Sequence, residues 1–205
     1  MRIAKEGYPF ILTPALLALL ALIGGWKWMA LILGTVSFVF AAFFRDPERK
    51  PPGGEGLILS PADGRNVKIR RAEGKGTGAK LSIFLSPLDV HINRAPIEGA
   101  VEEVKYQKGR FFAAYKDEAS KTNEQNVLKI VDSRRRSLTV VQVAGVLARR
   151  IVCYVKKGDS LQQGQRLGLI MFGSRVDLSL PEGAQIKVAE GERVKGGETI
   201  IGRFA

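Results

Sequence analysis

Read as apolar and polar positions, the chain changes character near residue 45. From Tyr8 to Phe44 it is almost wholly apolar, with Lys27 as the one charge. A break at Gly24-Gly25-Trp26-Lys27-Trp28 leaves two apolar segments, about 9–23 and 28–44. A membrane-spanning helix needs roughly 20 apolar residues, with a lower limit near 17. The second segment is long enough by this measure and the first is marginal. Trp26 and Trp28 suit an interfacial aromatic belt, and Lys27 can snorkel beside them. The pattern predicts a transmembrane helical hairpin as an anchor over residues 1–50; a re-entrant hairpin is the other form it allows. A cleaved signal peptide fits less well, because a second apolar run follows and no small-residue cleavage site precedes a polar start. Arg2 and Lys5 flank one end, and Arg45, Arg49 and Lys50 the other. A hairpin puts both flanks on one side of the membrane, and the positive-inside rule makes that side the cytoplasm.

Beyond Pro51-Pro52-Gly53-Gly54, a linker by composition, the pattern is that of short β-branched runs punctuated by glycine. Gly56–Ser60, Leu81–Leu85, Ser137–Val143 and Ala184–Val188 read as strands, and residues 117–125 as a short helix or polar loop. Many short strands at close spacing predict a sandwich or barrel over residues 51–205. One stretch repeats: "VKKGDSLQQGQRL" from Val155 and "VAEGERVKGGETI" from Val188, 33 residues apart. Its glycines suit turns with positive φ, and its aliphatics suit inward positions on short strands. Pro61-Ala62-Asp63-Gly64 and Pro96-Ile97-Glu98-Gly99 share its flavour. Such turn–strand units resemble the hammerhead half-barrels of the biotinyl/lipoyl class. The expected fold is therefore mainly β, a compact barrel or sandwich of hammerhead-like repeats.

Composition narrows the chemistry. Cys153 is the only cysteine and His91 the only histidine, so a disulfide framework is excluded and a His/Cys zinc site is not expected. No carboxylate cluster stands at metal-ligand spacing, and no metal is expected. The net charge is +12, with the excess upstream of Ser174 in Arg134-Arg135-Arg136, Arg149-Arg150, Lys156-Lys157 and similar clusters. Such a surface seeks nucleic acid or an anionic membrane. Aromatics are sparse beside the arginines, and the apolar N-terminus favours the membrane.

The stretch "FGSRVDLSLP", Phe172 to Pro181, reads as a strand with a Gly-Ser pair at its start. Glycine there is ordinarily a bulge. Asp63, in "SPADG", and His91, in "SPLDVHINRAP", each follow a predicted strand. Each is unremarkable alone: Pro-x-Asp-Gly is common turn chemistry, and a lone histidine is more often structural. Together with Ser174 they are the acid, base and nucleophile of a triad, for which chain order carries no veto. A serine hydrolase would want Gly-x-Ser-x-Gly on a strand-to-helix turn, which is not present. A lipoyl or biotin carrier would want a lysine at the hairpin tip, where Ser174 stands. A third use fits the pair. The serine hydroxyl attacks the glycine carbonyl, the amide becomes an ester, and β-elimination leaves dehydroalanine, which hydrolyses to a pyruvoyl group. The chain is cut, and the new terminus carries a ketone able to act as an electron sink.

The blocks "SPADG", "SPLDVHINRAPIEG", "QVAGVLARRIVCYVKKGD" and "GQRLGLIMFGSRVDLSLP" resemble the short, membrane-anchored phosphatidylserine decarboxylase proenzymes. The resemblance spans about residues 45–181. It implies a pyruvoyl-dependent enzyme that cuts itself between Gly173 and Ser174 into a β chain, 1–173, and an α chain, 174–205. Ser174 becomes the pyruvoyl group, with Asp63 and His91 as its partners, and the product is phosphatidylethanolamine. His91 is then the proton donor, since histidine titrates nearest neutrality. Arg94, Arg149 and Arg150 are candidates to hold the lipid phosphate, because guanidinium matches phosphate in a bidentate way. An ether-linked archaetidylserine would present the same headgroup. Partners expected are the phospholipid and an anionic membrane surface, not nucleic acid; β-domains of this size often pair, so a homodimer is a further expectation. The chain departs from the family pattern twice: a second histidine of longer members is Arg94 here, and an Asn-Glu-Arg is Asn123-Glu124-Gln125.

Overall fold

The computed structural model describes residues 2–71, 78–109, 122–145, 150–171 and 174–205. It divides into two compact units, Met1–Glu48 and Arg49–Ala205.

In the first unit, strands β1 (Arg2–Ile3) and β2 (Arg45–Asp46) pair antiparallel and bring the ends of two helices together, α1 (Tyr8–Ile23) and α2 (Lys27–Phe43). The helices pack through Phe10, whose ring lies 5.6 Å from Phe40 and 5.5 Å from Phe44, and through Ser37, whose hydroxyl donates to the Ile11 carbonyl. Their outer faces expose leucine, isoleucine and phenylalanine almost throughout. With the 3-10 turn Lys5–Gly7, the first helical run reaches Lys5–Ile23 and is long and apolar enough to cross a membrane; α2, with 17 residues, is at the lower limit. Pro9 lies in the first turn of α1, where a missing N–H breaks no helical bond, so it does not mark the start of the helical run.

The second unit is mainly β. In chain order its strands are β3 (Leu57–Leu59), β4 (Gly64–Arg71), β5 (Ala79–Leu85), β6 (Ile92–Arg94), β7 (Gly99–Gln107), β8 (Gln125–Val131), β9 (Ser137–Val143) and β10 (Ile151–Cys153). There follow β11 (Ser160–Leu161), β12 (Arg166–Ile170), β13 (Ser174–Ser179), β14 (Gln185–Ile186), β15 (Arg193–Val194) and β16 (Ile200–Arg203). One eight-stranded sheet runs β11-β7-β8-β9-β13-β5-β4-β15; two three-stranded sheets run β10-β12-β6 and β14-β16-β3. All pairings are antiparallel. The large sheet stays open, with β11 and β15 at its ends, so the closed form of the expected barrel is not found among the described residues. Its inward residues Leu81, Ile83, Leu128, Ile130, Val140, Val176 and Leu178 share one buried cluster with Ile58, Leu167, Ile170 and Ile201 from the small sheets.

These sheet orders are palindromic. β3, β4, β5, β13, β14, β15 and β16 correspond in turn to β6, β7, β8, β9, β10, β11 and β12, about an axis between β9 and β13. The correspondence extends to detail: a register shift falls between Asn66 and Lys68 in one half and between Val101 and Glu103 in the other. The 33-residue repeat is part of it, and its glycines Gly158, Gly164, Gly191 and Gly197 all have positive φ. The second half is inserted whole into the first, between β5 and β13. One half therefore closes its central hairpin by the tight turn 132–136, whereas the other leaves at Leu85 and returns at Ser174.

Gly64 and Gly99 are equivalent in this scheme, each with φ of 150°. A Cβ at Gly64 would overlap the Phe84 carbonyl oxygen, backbone against backbone. Gly64→Ala is expected to destabilise the fold by about 2 kcal/mol or more, a fall in Tm of about 4–8 °C. Thermal unfolding in detergent measures this; an unchanged Tm would show that β4 can retreat from β5 freely.

Candidate active site

The reading frame of the large sheet brings the sequence candidates to one end of it. Across that end the rows are Gln125 with Val143, Val143 with Arg175, Arg175 with Phe84, and Phe84 with Arg65. Asp63 immediately precedes β4 and Ser174 opens β13 opposite Leu85. His91 precedes β6, and its carbonyl accepts from the Ile170 N–H at the end of β12. The two passages between the halves, out from Leu85 and back to Ser174, therefore begin and end side by side. Gly173 and Arg149 lie outside the described residues, and of Ser174 it is the backbone that is described.

His91 is fully buried. Its Nδ1 lies 2.9 Å from the carbonyl oxygen of Asp89. A carbonyl only accepts, so Nδ1 carries the proton and Nε2 is the basic nitrogen of the ring. Asp89 is fixed in turn: its N–H donates to the Ser86 carbonyl at 2.9 Å, and its carboxylate accepts the Ser86 N–H at 2.8 Å. This turn sets the ring orientation directly behind the residue that pairs with Ser174.

Asp63 accepts hydrogen bonds from Arg49 Nη2 and from the Gly196 N–H, both at 2.7 Å. Arg49 also donates to Glu198 at 3.0 Å. Burial pushes the Asp63 carboxyl up from its ordinary value, against the pull of the Arg49 guanidinium and the Gly196 N–H; the charge of Asp89 adds to the push. A raised carboxyl beside a buried histidine segment is the environment expected of a functional acid. The two groups are linked through Asp89: it holds His91 by its carbonyl and acts on Asp63 by its charge.

The arginines separate. Arg94 is buried, donates from Nη1 to the Gly164 carbonyl at 3.0 Å, and pairs in register with Arg166. It lines an open cleft of about 640 Å³ with Arg49 and Arg166. Arg166 on the wall of that cleft is about 13 Å along β12 from Ile170 at 3.3 Å per residue, while Arg49 joins the cleft to Asp63. Arg150 is exposed, and its carbonyl accepts the Met171 N–H at 3.1 Å, which puts it at the junction itself.

The sequence reading did not find a chain of buried amides beneath this end. Asn126 Nδ2 donates to Gln142 Oε1 and Gln142 Nε2 donates to Asn93 Oδ1, each at 2.8 Å. The chain crosses from the large sheet to β6, two residues after His91. Its signal was present: Leu138, Val140 and Gln142 alternate on one strand face, so Gln142 is a polar residue at an inward position. Asn123, next to the departure at Gln125, donates to the Ala144 carbonyl at 2.9 Å. Tyr106, about half exposed, is pushed up to about 12 by its partial burial and by the hydrogen bond and charge of Glu124. No group of three or more His, Cys, Asp or Glu residues able to hold a metal is found among the described residues.

Comparison with known proteins gives a single answer. The phosphatidylserine decarboxylase family model matches residues 36–202. The phosphatidylserine decarboxylase proenzyme of Geobacter sulfurreducens is 46% identical, covering 98% of this chain and 95% of its own. That of Symbiobacterium thermophilum is 45% identical with the same coverage, and that of Syntrophus aciditrophicus is 41% identical over 98% and 97%. With the serine, histidine and aspartate blocks meeting at one end of the sheet, the chain belongs to the phosphatidylserine decarboxylase family.

Proposed function

We propose that the chain is a membrane-anchored proenzyme that cuts itself between Gly173 and Ser174 and then decarboxylates the serine headgroup of phosphatidylserine to give phosphatidylethanolamine. The observation that carries this is the register: Ser174 opens a strand held by β5 on one side and β9 on the other, beside the turn that fixes His91. A strand clamped on both sides keeps its first residue in place after the preceding peptide bond is cut, as a covalent group derived from Ser174 requires. The pyruvoyl group formed there supplies the electron sink for loss of carbon dioxide.

This chain's own residues do the remainder. In maturation, His91 Nε2 takes the proton of the Ser174 hydroxyl as that oxygen attacks the Gly173 carbonyl. In turnover the same nitrogen returns a proton to the carbon that has lost carbon dioxide. The Asp89 carbonyl holds the ring for both tasks, and the Asp63 carboxylate balances the charge that His91 gains. Arg150, exposed at the junction, is the arginine we favour for the lipid phosphate; Arg94 is engaged with the Gly164 carbonyl. The basic flanks of the helical pair put the catalytic unit on the cytoplasmic side of the cell membrane.

Intact-mass measurement of the purified chain tests the reading. The expected result is two chains, 1–173 and 174–205, the smaller without a free amine and lighter by the loss of ammonia, with carbon dioxide released from phosphatidylserine. One intact mass from a folded, inactive protein would overturn it.

A further inference from the structure

In the unit Arg49–Ala205 the large apolar side chains that stand open to solvent among the described residues are Leu88, 84% exposed, and Tyr106, 51% exposed. Everything else of that kind is in the helical pair. Leu88 sits in the turn whose two Ser86–Asp89 hydrogen bonds are described above, with Pro87 also exposed beside it. That turn leaves β5 at the partner of Ser174 and arrives at His91. Tyr106 pairs with Asn126, one row from the Gln125–Val143–Arg175 row that ends at the same place. Both exposed apolar residues therefore flank the site end of the sheet. Cations accompany them: Lys105 and Lys108 are exposed around Tyr106, and Arg150 is exposed at the junction.

An isolated exposed leucine on a surface means little. A leucine on a hydrogen-bonded turn at the site end of the sheet, with Arg150 exposed at the junction, has the composition of an interfacial contact: an apolar tip for the acyl boundary and a cation for anionic headgroups. We propose that the Leu88 turn is a docking tip by which the catalytic unit itself seats the site end of its sheet, the end that also carries Tyr106, on an anionic lipid bilayer, separately from the helical anchor. The inference rests on the reading that the substrate headgroup is presented by a bilayer. The anchor keeps the unit near the membrane; the tip selects the orientation in which the site meets it. The Arg134-Arg135-Arg136 turn, at the opposite end of β8 and β9, faces away when the tip is seated.

The test uses the full chain in phosphatidylcholine–phosphatidylglycerol vesicles, with Cys153→Ser to leave one labelling site. Leu88→Cys carrying an environment-sensitive fluorophore is compared with Ser133→Cys, exposed in the opposite turn. The expected result is a blue-shifted emission at position 88, quenched by spin-labelled lipid, and a water-like, unquenched emission at position 133. Equal, water-like emission at both overturns the proposal. So does a blue shift at 88 that lipid does not quench and that fades on protein dilution, since that marks contact between two copies. In parallel, Leu88→Ser is expected to lower turnover of phosphatidylserine in vesicles about tenfold, leaving self-cleavage and turnover of monomeric dicaproyl phosphatidylserine unchanged. Equal loss on both substrates overturns it. If wild-type protein turns over neither lipid, the substrate reading fails, whereas the label depth still decides docking.

Discussion

Ser174→Ala is expected to yield one chain of 205 residues, with no carbon dioxide released from phosphatidylserine in any form. The substitution removes one oxygen atom. The strand that it opens is held by backbone pairing from Ser174 to Ser179 against β5 and from Arg175 to Ser179 against β9, none of which uses the hydroxyl. The fold should persist, and Tm should fall by no more than a few degrees. Self-cleavage has no other nucleophile at that bond, so the loss should exceed about a thousandfold, as when the nucleophile of a covalent mechanism is removed. Electrophoresis separates the precursor from its products, and mass spectrometry gives the cut position. Cleavage of the alanine variant at the same bond would remove Ser174 from the mechanism.

The second large effect is expected from His91→Gln. Glutamine can still donate to the Asp89 carbonyl and fills much of the same volume, but it offers no basic nitrogen. General acid–base help of the kind proposed contributes about 10²–10⁴ in rate. The precursor should therefore accumulate, with its half-life lengthened by that factor, while Tm stays within a few degrees of the wild type. The informative comparison is between rate and stability, because His91 is fully buried. A variant that folds and cuts itself at the normal rate would make His91 a core residue and nothing more. A variant that merely unfolds would show a collapsed Tm; His91→Asn, the smaller amide, then provides the second trial.

Much of the site was legible because its chemistry is carried by rare residues in short fixed blocks. One histidine and one Gly-Ser leave few choices, and the strand 137–143 showed itself by alternation. The partners of those residues were not legible. Arg49 read as a basic flank of the anchor, yet it holds Asp63 and Glu198 at once; only the folded chain brings residues 49, 63 and 198 together. The buried strands β6 and β12 are short and covered, so they lack the polar alternation that would announce them. The 33-residue repeat was visible, but its meaning was not. The likeness of the segments ending in Gly64 and Gly99 showed, but the register that makes β4 and β7 equivalent did not, because pairing over such distances leaves no local trace.

The nested halves bear on ancestry. A chain whose second half sits inside the central hairpin of its first is what a duplication leaves when one copy is copied into the turn of the other. In the inserted copy that turn survives, residues 132–136, stitched by Asp132 and Arg136. In the host copy the same turn was opened to admit the guest, and its two rims became Leu85 and Ser174. On that history the bond proposed to react stands at the scar of the insertion. The earlier, uninterrupted half would have had a tight turn there and no chemistry; two such halves could have assembled as a symmetric pair. The self-processing proposed above would sever the chain at the seam that joined the two copies, and among the described residues no strand crosses it.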